Sequence, residues 1–143
     1  MSRPFSITID AADPRSLAEF WMAALGYVTE QPPSPFTTWP DALTAWGVPE
    51  SEWNSAAAIV DPEGVRPRVF LQRVPEGKTA KNRVHLDVHS GAGRPGAKDM
   101  AVVRALAVEL AGLGATQVAE FDAADIGQWI VMTDPEGNEF CVV

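Results

Sequence analysis

The sequence predicts an α+β chain of two tandem βαβββ units, which together form a curled mixed sheet around a central cup. Three observations carry this. The tetrapeptide Asp-Pro-Glu-Gly occurs twice, at 61–64 and 134–137, about half the 143-residue chain apart. Each copy stands between two apolar, strand-like runs, which reads as a hairpin. Upstream of each hairpin come, in the same order, a strand-like run, one amphipathic helix and a further extended run.

The expected arrangement is one domain over residues 1–143, with units at about 4–76 and about 82–143. FSITID (5–10) alternates polar and apolar residues and opens the first unit. Asp13 then offers a helix cap, and Pro14 suits the first helical position, where an N–H would have no partner. Leu17, Phe20, Trp21, Ala24 and Leu25 follow helical spacing, and Gly26 can end the helix in a left-handed conformation. YVTE (27–30) reads as a strand, and SAAAIV (55–60) and VRPRVFLQRV (65–74) enclose the first Asp-Pro-Glu-Gly turn. RVHLDVH (83–89) opens the second unit. A helix is expected from about Asp99 to Leu113, with Val103, Leu106, Ala107, Leu110 and Leu113 on one face and Gly114 at the end. ATQVAEF (115–121), GQWIVMT (127–133) and NEFCVV (138–143) complete the repeat.

Composition narrows the function classes. A net charge of −8 repels phosphate backbones, so no nucleic-acid partner is expected. No apolar run approaches the roughly 20 residues of a membrane span. The first strand begins almost at the N-terminus, which leaves no room for a signal peptide. The single cysteine, Cys141, excludes an internal disulfide, and the expected location is the cytoplasm. The basic stretch GKTAKNR (77–83) lies where the halves join and reads as a solvated linker. Residues 31–55 have no counterpart in the second half and carry Trp39, Trp46 and Trp53. A long aromatic, Pro-rich loop reads as a lid over a ligand or as a cover for one end of the core.

No phosphate loop, nucleophile elbow, CxxC or HExxH motif is present, and two histidines, His85 and His89, preclude a multi-histidine metal site. Strand alternation places His85, Asp87 and His89 on one face, opposite Val84, Leu86 and Val88. By the same rule Ser6, Thr8 and Asp10 share a face, as do Gln72, Phe70 and Val74, and Glu139 and Cys141. If these faces turn inward, the cup is lined by Ser6, Thr8, Asp10, Gln72, His85, Asp87, Glu139 and Cys141.

The stretches ADPRSLAEFWMAALGY (12–27), KNRVHLDV (81–88) and DPEGNEFCVV (134–143) resemble the vicinal oxygen chelate superfamily. Its members include glyoxalase I, extradiol dioxygenases and bleomycin-resistance proteins. The likeness is strongest to small glyoxalase-like proteins, and it implies the glyoxalase-like fold. Metal-binding members take a ligand from the first and last strand of each unit, usually histidine or glutamate. Those positions fall on Ser6, Gln72, His85 and Cys141, with Glu139 two residues before the last. His85 alone is a standard ligand there, and a thiolate is foreign to the oxygen and nitrogen sets of Mn, Fe or Ni. The expectation is therefore no metal cofactor. Were a divalent Mn, Fe, Ni or Zn held, Gln72, His85 and Glu139 would hold it.

Two functions follow from these residues. One is a small-molecule binder using Ser6, Thr8, Gln72, Asp87 and Cys141, with Trp39, Trp46 and Trp53 closing over the ligand. The other is a lyase or another enzyme of the superfamily, with His85 and Glu139 as metal ligands or as acid and base. A third, a plain interaction module, would leave the cup filled. Exposed edge strands add the expectation of a homodimer.

Overall fold

The chain folds as a mixed α+β structure with two four-stranded sheets. In this computed structural model, residues 1–93, 97–123 and 125–143 are described. Contacts divide the chain into two units, Met1–Gly77 and Lys78–Val143.

The first unit contains β1 (Ile7–Ala11), α1 (Pro14–Leu25), β2 (Val28–Thr29), β3 (Ala56–Val60) and β4 (Val69–Arg73). Its strand order is β1-β4-β3-β2, with β1 parallel to β4 and the other pairs antiparallel. α1 begins and ends as its sequence dictates. The Asp13 carboxylate accepts the Ser16 N–H at 3.1 Å, and Gly26 closes the helix at φ 68°. Leu17, Phe20 and Trp21 are buried by this helix, and Ile59, Val69 and Leu71 by the sheet it packs on. Burying each such side chain contributes about 1.5–3 kcal/mol.

Loop 31–55 is more ordered than its composition suggests. It holds α2 (Trp39–Ala45), capped by the Thr38 hydroxyl, and a 3₁₀ turn at Glu50–Glu52. Strong turn residues (Pro32, Pro33, Pro35, Pro40) mask the short helical run between them. The Trp39 indole N–H donates to the Glu30 carbonyl at 2.7 Å, and that of Trp53 to the Val48 carbonyl at 3.0 Å. Trp46 meets Trp39 and Phe36 edge to face.

The second unit contains β5 (Asp87–Val88), α3 (Met100–Gly112), β6 (Thr116–Ala123), β7 (Gly127–Thr133) and β8 (Glu139–Val142). Its order, β5-β8-β7-β6, repeats that of the first sheet, again with the first and last strands parallel. Asp99 caps α3 by accepting the Ala101 N–H. Met100, Val103, Ala107 and Leu110 are buried, as are Ile130, Met132, Phe140 and Val142 of the sheet. Both Asp-Pro-Glu-Gly segments are turns, between β3 and β4 and between β7 and β8, as the repeat predicts.

Two local expectations need correction. Leu113 is exposed, because the helix ends at Gly112 and Leu113 sits beyond its last turn. The opening strand of this unit is also shorter than RVHLDVH, and Val84 faces solvent. The ladder to β8 begins where Cys141 N–H donates to Leu86 O. Upstream, Asn82 N–H turns instead to the Glu139 side chain, so the chain leaves the sheet before Val84 can be covered. No helix among the described residues is long and apolar enough to cross a membrane.

Candidate functional site

β7 and β8 alternate in and out of the second core. Ile130, Met132, Phe140 and Val142 are fully buried, so Trp129, Val131, Glu139 and Cys141 belong to the opposite face of the sheet. Strand register sets these residues in rows. Asp87 lies opposite Cys141, Cys141 opposite Val131, Trp129 opposite Phe121, and Glu139 opposite Thr133. This face forms the floor of a cleft of about 440 Å³, also lined by Lys81, His85, Lys98, Gln128 and Val143.

At one end three polar groups converge. His85 Nε2 stands 3.3 Å from Asp87 Oδ1, and donor atoms of His85, Asp87 and Cys141 all lie within 4.8 Å of one another. Burial pushes the Cys141 thiol up, and the Asp87 carboxylate, which accepts from it, pushes it the same way. The thiol therefore stays neutral at physiological pH and is a poor nucleophile. His85 gains a carboxylate partner that orients its ring. A nitrogen, an oxygen and a sulfur at this spacing form a set that zinc accepts and that manganese does not favour.

Glu139 is engaged differently. The Asn82 backbone N–H at 2.9 Å and the Lys78 ammonium at 3.0 Å hold its pKa down at about 2. A carboxylate held that low carries no proton near neutral pH, so it suits charge anchoring rather than proton transfer. A depressed folded-state pKa stabilises the fold above the unfolded value, and this contribution fades as pH falls through the folded one. Glu139→Gln is accordingly expected to unfold at lower urea than the wild type at pH 7. The gap should narrow from about pH 4.5 towards pH 2. A gap unchanged over that range would contradict the assignment.

The aromatic wall is fixed from behind. Trp129 stacks on Phe121 with ring centroids 4.6 Å apart and planes 20° from parallel. Gly127, at φ 132°, lies so close that a Cβ there would collide with the Trp129 ring. Lys98 Nζ donates to the Gln128 carbonyl at 3.1 Å, and the Gln128 side chain accepts the Lys98 N–H.

Of the residues predicted from sequence, His85, Asp87, Glu139 and Cys141 line this one cleft. Ser6, Thr8, Asp10, Gln72 and the three tryptophans Trp39, Trp46 and Trp53 belong to the first unit. There Ser6 precedes β1, Thr8 is exposed, and Gln72 donates to the Asp10 carboxylate at 2.8 Å from the neighbouring strand. The ligand positions implied by the resemblance were Ser6, Gln72, His85 and Cys141, with Gln72, His85 and Glu139 the expected holders of any ion. Of these, Cys141 converges with His85, and the third donor beside them is Asp87. Lys81, Lys98 and Trp129 line the cleft and were not singled out by sequence. One signal could have found the lysines: the chain has three, Lys78, Lys81 and Lys98, all close to the His85 strand.

A model of the glyoxalase-like domain family matches residues 6–143. The chain belongs to this family. Solved structures agree in fold across nearly the whole glyoxalase-like chain. A "possible Glyoxalase from Bacillus cereus" is 13% identical with a TM-score of 0.62, covering 100% of this chain and 99% of that one. A glyoxalase/bleomycin resistance protein/dioxygenase family enzyme from Burkholderia phytofirmans PsJN is 14% identical with a TM-score of 0.59, covering 96% and 94%. The fosfomycin resistance protein FosX from Listeria monocytogenes, solved as a point mutant with Mn(II) and 1S,2S-dihydroxypropylphosphonic acid, is 10% identical. Its TM-score is 0.63, with 99% of this chain and 89% of that one covered. Among curated protein sequences no match is found.

Proposed function

We propose that this glyoxalase-like chain binds a small molecule in the cleft of its second unit and does so without manganese. The observation that carries the reading is the composition of the cleft. Val131, Val143 and Trp129 supply apolar surface, while His85, Asp87 and the lysines converge on it. An apolar cleft with a few convergent polar groups is the usual form of a ligand site, and about 440 Å³ suits a small organic molecule. An amide chemical-shift screen with neutral, anionic and cationic fragments tests it. Shifts concentrated at His85, Asp87, Trp129 and Cys141 support the reading, and fragments that bind only elsewhere defeat it.

The Listeria FosX structure holds Mn(II), but the residues gathered here do not suit that ion. Cys141 brings a buried, protonated thiol, already bonded to the carboxylate that would have to serve as the oxygen ligand. Elemental analysis after dialysis is expected to find far less than one manganese per chain. Close to one per chain would overturn the manganese-free reading.

One observation favours an enzymatic role as second reading. The His85–Asp87 pair is a histidine with an orienting carboxylate, the geometry of a general base. In that reading His85 is the catalytic residue, Asp87 positions it, and Glu139 anchors Lys78.

A further inference from the structure

We infer that the ligand of this cleft is a planar aromatic carboxylate, with its carboxylate at Lys81 and Lys98 and its ring on Trp129. The inference rests on the reading of the cleft as a small-molecule site and assigns the class of molecule.

Charge placement is the first ground. The chain carries a net −8 and has only three lysines. Lys81 and Lys98 line the cleft, and Lys78 pairs with Glu139, which lines it as well. Three ammonium groups thus meet two carboxylates here, whereas acidic residues outnumber basic ones over the chain as a whole. Both carboxylates are occupied. Glu139 holds Lys78 and the Asn82 N–H, and Asp87 faces His85 and Cys141. Lys81 has no ion-pair partner among the described residues. Lys98 spends one ammonium hydrogen on the Gln128 carbonyl, and a lysine carries three. Both ammonium groups keep hydrogens that can be donated to a further acceptor. A carboxylate is acceptor-only and takes them, while a cationic ligand would meet two like charges.

The aromatic wall is the second ground. Trp129 is backed by Phe121 and crowded by Gly127, so its ring is fixed before a ligand arrives. A flat, pre-ordered indole surface favours a flat partner, because little side-chain freedom is lost on binding. Val131 and Val143 extend the apolar surface beside it.

Three probes of one shape test the assignment: 2-naphthoate, 2-naphthamide and naphthalene-2-carboxamidine. Each is titrated into the full chain and followed by amide shifts. The naphthoate is expected to bind in the cleft more tightly than the other two and to weaken with added salt. Lys81→Gln and Lys98→Gln should each weaken it about tenfold, the loss of one charge-assisted hydrogen bond, and weaken naphthamide by clearly less. The spectra themselves report whether each variant is folded. Equal or tighter cleft binding by the amide or the amidine would overturn the anion assignment and leave the ligand-site reading intact. Cleft shifts from other fragments, but none from the naphthoate, would do the same. No fragment of any class in the cleft would overturn both.

Discussion

Replacing Asp134 with alanine is expected to lower the stability of the fold by about 2–4 kcal/mol. Asp134 is 3% exposed and opens the second Asp-Pro-Glu-Gly turn. Its carboxylate accepts the Glu136 and Asn138 N–H groups at 2.9 Å each, and the Asn138 side-chain amide as well. Alanine removes every one of these acceptors. Each lost bond is worth about 0.5–1.5 kcal/mol net, and a donor left buried without a partner costs about 1–3 kcal/mol more. The turn can relax towards water, which caps the total well below the sum. Asp134→Asn keeps one acceptor oxygen and should recover part of the loss. Urea denaturation measures both variants. A loss below about 1 kcal/mol for the alanine would show that the turn is held by its neighbours instead. Asp61 makes the matching set in the first unit, accepting from Glu63, Val65 and Arg66 N–H groups. The repeated tetrapeptide is thus a repeated physical device, in which an aspartate folds the next few amides around itself.

Val131→Trp is expected to abolish ligand binding while leaving the fold intact. Val131 stands beside Cys141 on the cleft floor, on the face away from the buried Ile130 and Met132. An indole there grows into the cleft rather than into the core. Overpacking a closed core costs typically about 1–3 kcal/mol, but this side chain has open space ahead of it. Fragments that shift the cleft amides of the wild type should fall below detection, roughly a hundredfold weaker or more, about 3 kcal/mol. The urea midpoint should stay close to that of the wild type. Undiminished fragment binding by a folded Val131→Trp chain would place the site elsewhere.

The fold was legible because its signals are local and repeated. Asp13-Pro14 and Gly26 set the ends of α1, and Gly127–Thr133 is the strand its apolar run announces. What failed depended on distant partners. The opening strand of the second unit is cut short by a side chain, Glu139, that takes the Asn82 N–H. Nothing in RVHLDVH itself reveals that. α2 was hidden among prolines that sequence reading takes as breakers.

The site was half legible. Alternation put His85, Asp87, Glu139 and Cys141 on like faces, and the structure brings all four to one cleft. Their roles depend on distances the sequence does not carry. Lys78 and Asn82 hold Glu139 ionised, and Asp87 stands between His85 and Cys141. GKTAKNR reads as a solvated linker because its charges cluster in a short polar stretch, yet Lys78 bonds Glu139 and Lys81 lines the cleft. Trp129 looked like one more strand apolar residue, and only its register with Phe121 makes it a platform.

Crystals of the chain soaked with a fragment set of mixed charge test the central claim most directly. Fragment density is expected over Cys141 and Val131, between the Trp129 ring and the His85–Asp87 pair. Density confined to other surfaces, with that floor left to water, would contradict a ligand site in the second unit.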